Sequence, residues 1–299
     1  MTQLRWIASG EASALHAAAA LADGRKIVDQ RLTETLAEPV ERLVLELGEQ
    51  GAAPGAFFEH AIPLACQVDE VDPVGLAHLA LARSTDRPRA PGESYALAAA
   101  LMALFRTQER IHPDLANQLR VRMAPLVEQW EARGPGLLAA IGRMTDPGLL
   151  VKQADVAVVY PALGGGGAAS PTYNLVRIEA VLANPHAALP EVVRLGWLIA
   201  QLGLKASRSA VDLSDIAFER FARLAMVPAA LEAAEHVELA RWDESTLNLA
   251  LVAWGLADET SPQLASSLLG WWEERRLSDS QNYRTRFLDR LLNVKVVSR

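Results

Sequence analysis

The segment 155–174, DVAVVYPALGGGGAASPTYN, decides how the whole chain is interpreted. Its first six residues are rich in valine, which is typical of a β-strand, and four consecutive glycines follow. A strand followed by glycines and a helix start is the layout of a phosphate-binding loop. The alternative is that the glycines form a flexible connector between two helical parts of the chain.

The residues around the glycines favour the connector. Residues 164–172 read GGGGAASPT and contain no lysine, which a phosphate-binding loop needs to reach the terminal phosphate. The run also fits the dinucleotide pattern G-x-G-x-x-G/A, as any run of glycines would, but no second strand is recognised. A lone strand has nothing to pair with. We therefore predict a connector that ends where Ser170 caps a helix and Pro171 takes its first position.

Helical periodicity dominates the rest of the sequence. Apolar residues recur at the spacing i, i+3, i+4 and i+7, which places them on one face of an α-helix. Two such stripes are Leu97, Ala100, Leu101 and Leu104, and Leu195, Leu198, Ile199 and Leu202. Alanine is abundant in these segments and favours helix. The predicted fold class is all-α, as a multi-helical bundle or a curved α-helical array.

The two halves of the chain share six short similarities that occur in the same order. FEHAIPLA at 58–65 resembles FERFARLA at 218–225, and HLALAR at 78–83 resembles HVELAR at 236–241. Helical segments of similar composition resemble one another anyway, so only the shared order favours a tandem duplication. A groove at the junction of the halves would then be the place for a ligand. The predicted organisation is a first helical half at 1–145, a Gly-rich connector at 146–170 and a similar second helical half at 171–299.

Charge and composition exclude several classes of partner. The chain has 299 residues and a formal net charge of −7, so it has no basic excess for binding nucleic acid. Its longest apolar stretch, 95–105, is far too short to span a membrane. A single cysteine, Cys66, indicates a reducing compartment, and the first residues do not resemble a signal peptide. We expect a soluble, cytoplasmic protein.

Histidine and arginine supply the candidate site residues. No pair of the six histidines has the HExxH spacing, and no metal or cofactor is predicted. His78 and His236 superpose in the proposed repeat, and an arginine, Arg83 or Arg241, follows each of them five residues later. Such a pair would bind an anion in the groove. The alternative is that each histidine is hydrogen-bonded within an apolar helix face.

Two hypotheses for function remain open at this point. The first is a non-catalytic helical scaffold that binds a protein or peptide, since no strong catalytic motif is found. The second is an enzyme or a small-molecule or anion-binding protein, with its site at the junction and with Arg177 and Arg194 among its residues. Adjacent Trp271 and Trp272 point about 100° apart on a helix, so one of them is expected at an interface between halves or subunits. A homo-oligomer therefore also stays open.

Overall fold

The computed structural model describes residues 2–68, 70–85, 87, 90–204, 215–257 and 262–277. Within these residues the chain forms ten α-helices and one four-stranded sheet. The helices are α1 (Gly10–Ala22), α2 (Gln30–Glu49), α3 (Pro54–Ala65), α4 (Pro73–Thr85), α5 (Tyr95–Ile111), α6 (Leu115–Met144), α7 (Glu191–Gln201), α8 (Asp215–His236), α9 (Glu244–Ala253) and α10 (Pro262–Leu277). The strands are β1 (Gln3–Ala8), β2 (Gln153–Val159), β3 (Gly167–Ser170) and β4 (Leu175–Glu179).

The all-α prediction was wrong, because the valine-rich segment has strand partners on both sides. The strand order is β1-β2-β4-β3. β2 pairs in parallel with β1 and with β4, so that Val156 lies opposite both Trp6 and Val176. β3 pairs antiparallel with β4 at the edge. The helix predicted to begin at Ser170 is only a 3₁₀ turn, Pro171–Tyr173, and the chain then enters β4.

The sheet is the middle of three layers. Ala157, Val159 and Leu175 face a hydrophobic core built from α1 to α5, whereas Val156 and Val158 face a second core built from α6 to α10. A strand that is buried on both faces has a nearly continuous apolar sequence, which explains the composition of β2. The predicted helical stripes are confirmed, since the stripe of α5 and the stripe that begins in α7 are buried.

The duplication is not supported by the arrangement of the elements. HLALAR at 78–83 lies inside α4, whereas HVELAR at 236–241 runs from the last residue of α8 into the following turn. The expected connector, 146–170, contributes β2 and β3 to the sheet. The similar composition of amphipathic helices is enough to account for such short matches. None of the described helices is long and apolar enough to cross a bilayer.

Candidate functional site

The glycine-rich loop crosses the carboxyl end of β4. β2 ends at Val159 beside Glu179, and β3 starts at Gly167 beside Ile178 on the other side of β4. The chain between them, 160–166, has to pass over the end of β4 to connect the two strands. Carboxyl ends of parallel strands are where α/β sheets most often bind ligands.

The loop is folded around the carboxylate of Glu179, whose side chain is fully buried. Oε1 accepts hydrogen bonds from the backbone N–H groups of Ala162 and Leu163, at 3.0 and 2.7 Å, and Oε2 accepts one from Gly165 at 2.6 Å. Burial by itself would raise the pKa of this carboxyl. The hydrogen bond from His16, the attraction of the His16 ring when it is protonated, and the hydrogen bonds from the loop backbone outweigh burial and lower the pKa to about 2. Glu179 is therefore ionised at neutral pH.

The glycines make this wrapping possible. Gly164 and Gly165 have φ values of +78° and +130°, a region that side chains with a Cβ rarely adopt. A Cβ on Gly165 would lie 2.8 Å from Cγ of Pro185 and 3.2 Å from Nη1 of Arg194. The loop thus does bind an anionic group through its amides, but that group is the protein's own Glu179.

His16, on α1, is the fourth hydrogen-bond donor to Glu179. Its Nε2 lies 2.7 Å from Oε1, and its side chain is only 4% exposed. Burial is the main cause that lowers the pKa of His16, and the positive charge of Arg177 adds to it. α1 is joined to the start of the loop by a second contact, in which the N–H of Tyr160 donates to Oγ of Ser13 at 3.0 Å.

A cavity of about 440 Å³ adjoins the loop at this end of the sheet. This volume is in the range of small-molecule sites. Both helical layers contribute to its wall: the first gives His16 and Arg25, and the second gives Arg194, Trp197 and Trp254. The described wall contains four arginines and no carboxylate; the arginines are Arg25, Arg177, Arg194 and Arg223.

Arg194 is the most deeply buried of these cations, with a side-chain exposure of 3%. Its Nη2 donates to the carbonyl of Ala253 at 3.1 Å, and its Nη1 lies 3.5 Å from Oε2 of Glu191. Nε and Nη1 make no hydrogen bond, although both are buried. Burial lowers the pKa of Arg194 and raises the pKa of Glu191. The attraction between the two charges shifts each pKa in the opposite direction but does not outweigh burial.

Arg177 reaches the cavity from β4. Its Nε is buried and makes no hydrogen bond. Burial lowers the pKa of Arg177 to about 10, so the guanidinium still carries its charge at neutral pH. Buried donors without partners are rare in proteins, and guanidinium groups are shaped to bind carboxylate or phosphate oxygens.

Two stacked indoles close one side of the cavity. The rings of Trp197 and Trp254 lie 4.6 Å apart at 23°. Nε1 of Trp197 donates to the carbonyl of Arg223 at 3.0 Å, whereas the buried Nε1 of Trp254 has no partner. The wall thus combines aromatic surface with cationic groups, and such a mixture of apolar surface and a few polar groups is common in small-molecule sites.

The residues predicted from sequence fall into two groups. Arg177 and Arg194 lie in the wall of the cavity. The other four are not in the wall of this cavity. Arg83 donates to the hydroxyl of Tyr173 at 2.7 Å, and His236 donates from Nδ1 to the carbonyl of Glu232 at 2.8 Å.

His78 and Arg241 are also distant from the cavity. His78 lies on α4, half-buried, with a buried Nδ1 that has no partner. Arg241 is exposed in the turn after α8. The prediction that these residues bind a ligand stays a prediction, but they do not share a site with Arg177 and Arg194.

Sequence reasoning missed His16 and Glu179. Each carried a weak signal: a lone histidine within SALHAAAA, and an acidic residue at the end of the β-branched segment LVRIE. Cys66 is buried, and burial raises the pKa of its thiol to about 12, so it is not a reactive thiolate. Across the described ranges, no group of three His, Cys, Asp or Glu side chains is arranged to hold a metal ion.

Comparison of the chain with known protein families, with curated protein sequences and with solved structures finds no match in any of the three. The geometry of the cavity is therefore the basis for a functional proposal.

Proposed function

We propose that the protein binds a small anionic molecule, one that carries a phosphate or carboxylate group, in the cavity at the carboxyl end of the sheet. The observation that carries the proposal is the convergence of four arginines on the described cavity wall, which contains no carboxylate. Guanidinium groups are shaped to bind carboxylate and phosphate oxygens, and an oxyanion in the cavity would offset their charge.

The charge distribution supports an anion in particular. The protein as a whole carries −7, yet the described cavity wall has four arginines and no carboxylate. Glu179 and Glu191 lie behind the wall and offset only part of this positive charge. A concave surface with one sign of charge concentrates ligands of the opposite sign.

A small molecule is favoured over the scaffold hypothesis. A protein or peptide partner would be expected to use a broad, open groove, whereas these arginines converge on a confined volume of about 440 Å³. The indoles of Trp197 and Trp254 also line the cavity and suit the apolar or planar part of a small ligand.

The experiment is calorimetric titration with inorganic phosphate, sulfate and citrate, against chloride at matched ionic strength. We expect the multivalent oxyanions to bind and chloride not to bind. Arg194→Gln should weaken binding by roughly 10- to 100-fold, since hydrogen bonds to charged groups contribute about 1.5–3 kcal/mol. Arg241→Gln, which changes an exposed arginine away from the cavity, is the matched control and should bind normally.

Urea unfolding of both variants shows whether each is folded before titration. The proposal is wrong if no oxyanion binds the wild-type protein more tightly than chloride. It is also wrong if folded Arg194→Gln and Arg241→Gln bind equally well.

A further inference from the structure

The hydrogen bonding around Glu179 determines where the proton of His16 lies. Three backbone N–H groups donate to the carboxylate, and backbone amides cannot act as acceptors there. The carboxylate is thus held ionised and accepts from Nε2 of His16, so that Nε2 carries the proton of the neutral ring. Nδ1 then has no proton and carries a lone pair, which accepts no hydrogen bond from any described residue.

The surroundings of His16 keep its ring neutral while the cavity holds no anion. Burial lowers the pKa of His16 most, Arg177 on β4 lowers it next, and Arg25 after α1 adds to the effect, whereas Glu179 on β4 opposes all three. α2, α3, α5 and β2 also pack on α1. Cys66, at the end of α3, interacts with Arg177 and stays uncharged because burial raises its pKa to about 12.

An anion in the cavity reverses this balance. Arg25 and Arg177 line the same cavity as His16, so a bound anion would offset the two positive charges that act against protonation of the ring. The anion would also supply an acceptor for an Nδ1–H group. A protonated His16 would then lie between Glu179 and the ligand, with both ring nitrogens donating.

From this juxtaposition we infer that the ligand is a dianion and that His16 takes up one proton from solvent when the ligand binds. The proton goes to Nδ1, and the ring changes from neutral to positive. The inference rests on the proposed function, because it concerns the same cavity. It adds a ligand class, dianionic phosphate esters or dicarboxylates, and a dependence of affinity on pH.

The sign of the pH dependence follows from linkage. A group whose pKa is higher in the complex than in the free protein makes binding tightest below its free pKa. Affinity for a dianion should therefore fall as the pH rises towards the pKa of His16 in the complex, by up to about tenfold per pH unit, and then level off.

The test is calorimetric titration with sulfate and with inorganic phosphate, from about pH 5.5 to about pH 8, where histidine titrates. Each titration is run in two buffers with different enthalpies of ionisation, which gives the number of protons taken up. Sulfate keeps its double charge throughout, so its pH dependence reports on the protein, whereas phosphate itself changes charge in this range. We expect uptake that approaches one proton per sulfate at the pH of maximum uptake.

His16→Asn should abolish the uptake, and His236→Asn, at an exposed histidine on α8, should leave it unchanged. The inference is overturned if the wild-type protein binds sulfate without taking up a proton. It is also overturned if folded His16→Asn takes up as many protons as the wild type. Either result leaves the proposed function standing. Absence of binding by any oxyanion overturns both. If His16→Asn does not fold, the wild-type uptake still decides, together with NMR titration of the histidine ring signals with and without sulfate.

Discussion

Replacing Glu179 by glutamine removes the charge around which the glycine-rich loop is folded. The carboxylate accepts four hydrogen bonds, from His16 and from the backbone of Ala162, Leu163 and Gly165. Glutamine keeps one acceptor oxygen, but its NH₂ group would face an N–H donor in place of the second oxygen. At least one buried donor would then lose its partner.

The magnitude follows from the pKa of Glu179, which is lowered from 4.5 to about 2 in the folded protein. A shift of one pKa unit corresponds to about 1.4 kcal/mol, so the full shift amounts to about 3 kcal/mol. Part of it comes from attraction to a protonated His16, so at pH 7, where the His16 ring is neutral, ionised Glu179 stabilises the fold by roughly 1–3 kcal/mol. Because the folded pKa is below the unfolded one, this stabilisation is fully present above about pH 4.5. It is lost as the pH falls through about 2.

The assay is urea unfolding of the wild type and of Glu179→Gln, followed by far-UV circular dichroism at several pH values. We expect the free energy of unfolding at pH 7 to fall by roughly 1–3 kcal/mol, and the gap between the two proteins to narrow below about pH 4.5. Glu128→Gln is the matched control, because Glu128 is exposed on α6, and it should change stability by less than about 0.5 kcal/mol.

One result would refute this reasoning directly. If Glu179→Gln and Glu128→Gln had the same stability at pH 7, the loop would not depend on the buried charge. A gap that stayed constant between about pH 7 and about pH 3 would likewise show that ionisation of Glu179 is not the source of the effect.

Two further predictions concern the backbone and the surface. Gly165→Ala should destabilise the fold by about 1–3 kcal/mol and abolish oxyanion binding, because φ is +130° and the new Cβ would meet Pro185. Gly270→Ala, on α10 with open space around the new Cβ, should instead stabilise the fold by up to about 1 kcal/mol in the same urea assay. A loss of stability equal to that of Gly165→Ala would contradict the argument. Arg5→Ala, which breaks a pair with Asp155 at 2.6 Å in which Arg5 is 63% exposed, should cost less than about 1 kcal/mol. That cost should shrink further in high salt, and a loss that salt does not alter would show that packing rather than charge is responsible.

The helices were predictable because their signal is local. The stripe Leu97, Leu101 and Leu104 needs only the helical period to be recognised, and the structure buries these side chains on α5. The sheet was not predictable in the same way. β2 was visible as a valine-rich run, but its neighbour β1 lies about 150 residues earlier, in a short segment with a charge at Arg5. A strand pair that is so distant in sequence leaves no short-range pattern.

The site was predictable only in part. Arg177 and Arg194 were named as candidates for anion binding, and both line the cavity, but a helix was predicted to begin at Ser170 and Arg177 lies on β4 instead. For the glycines, the sequence favoured a flexible connector over a loop that holds an anion with its backbone amides. What the pattern could not show is that the amides are directed at Glu179, since this depends on how β2 and β3 flank β4.

By itself the sequence determined the amphipathic helices, the excess of acidic residues and the run of four glycines at 164–167, because these are properties of composition and short spacing. The tertiary structure decided that 155–160 is a central strand and that the glycine loop encloses an internal carboxylate. It also decided that His16 shares a cavity with Arg177 and Arg194. The physical reason is that strand register and the direction of backbone amides are set by packing between segments far apart in the chain, which no local pattern records.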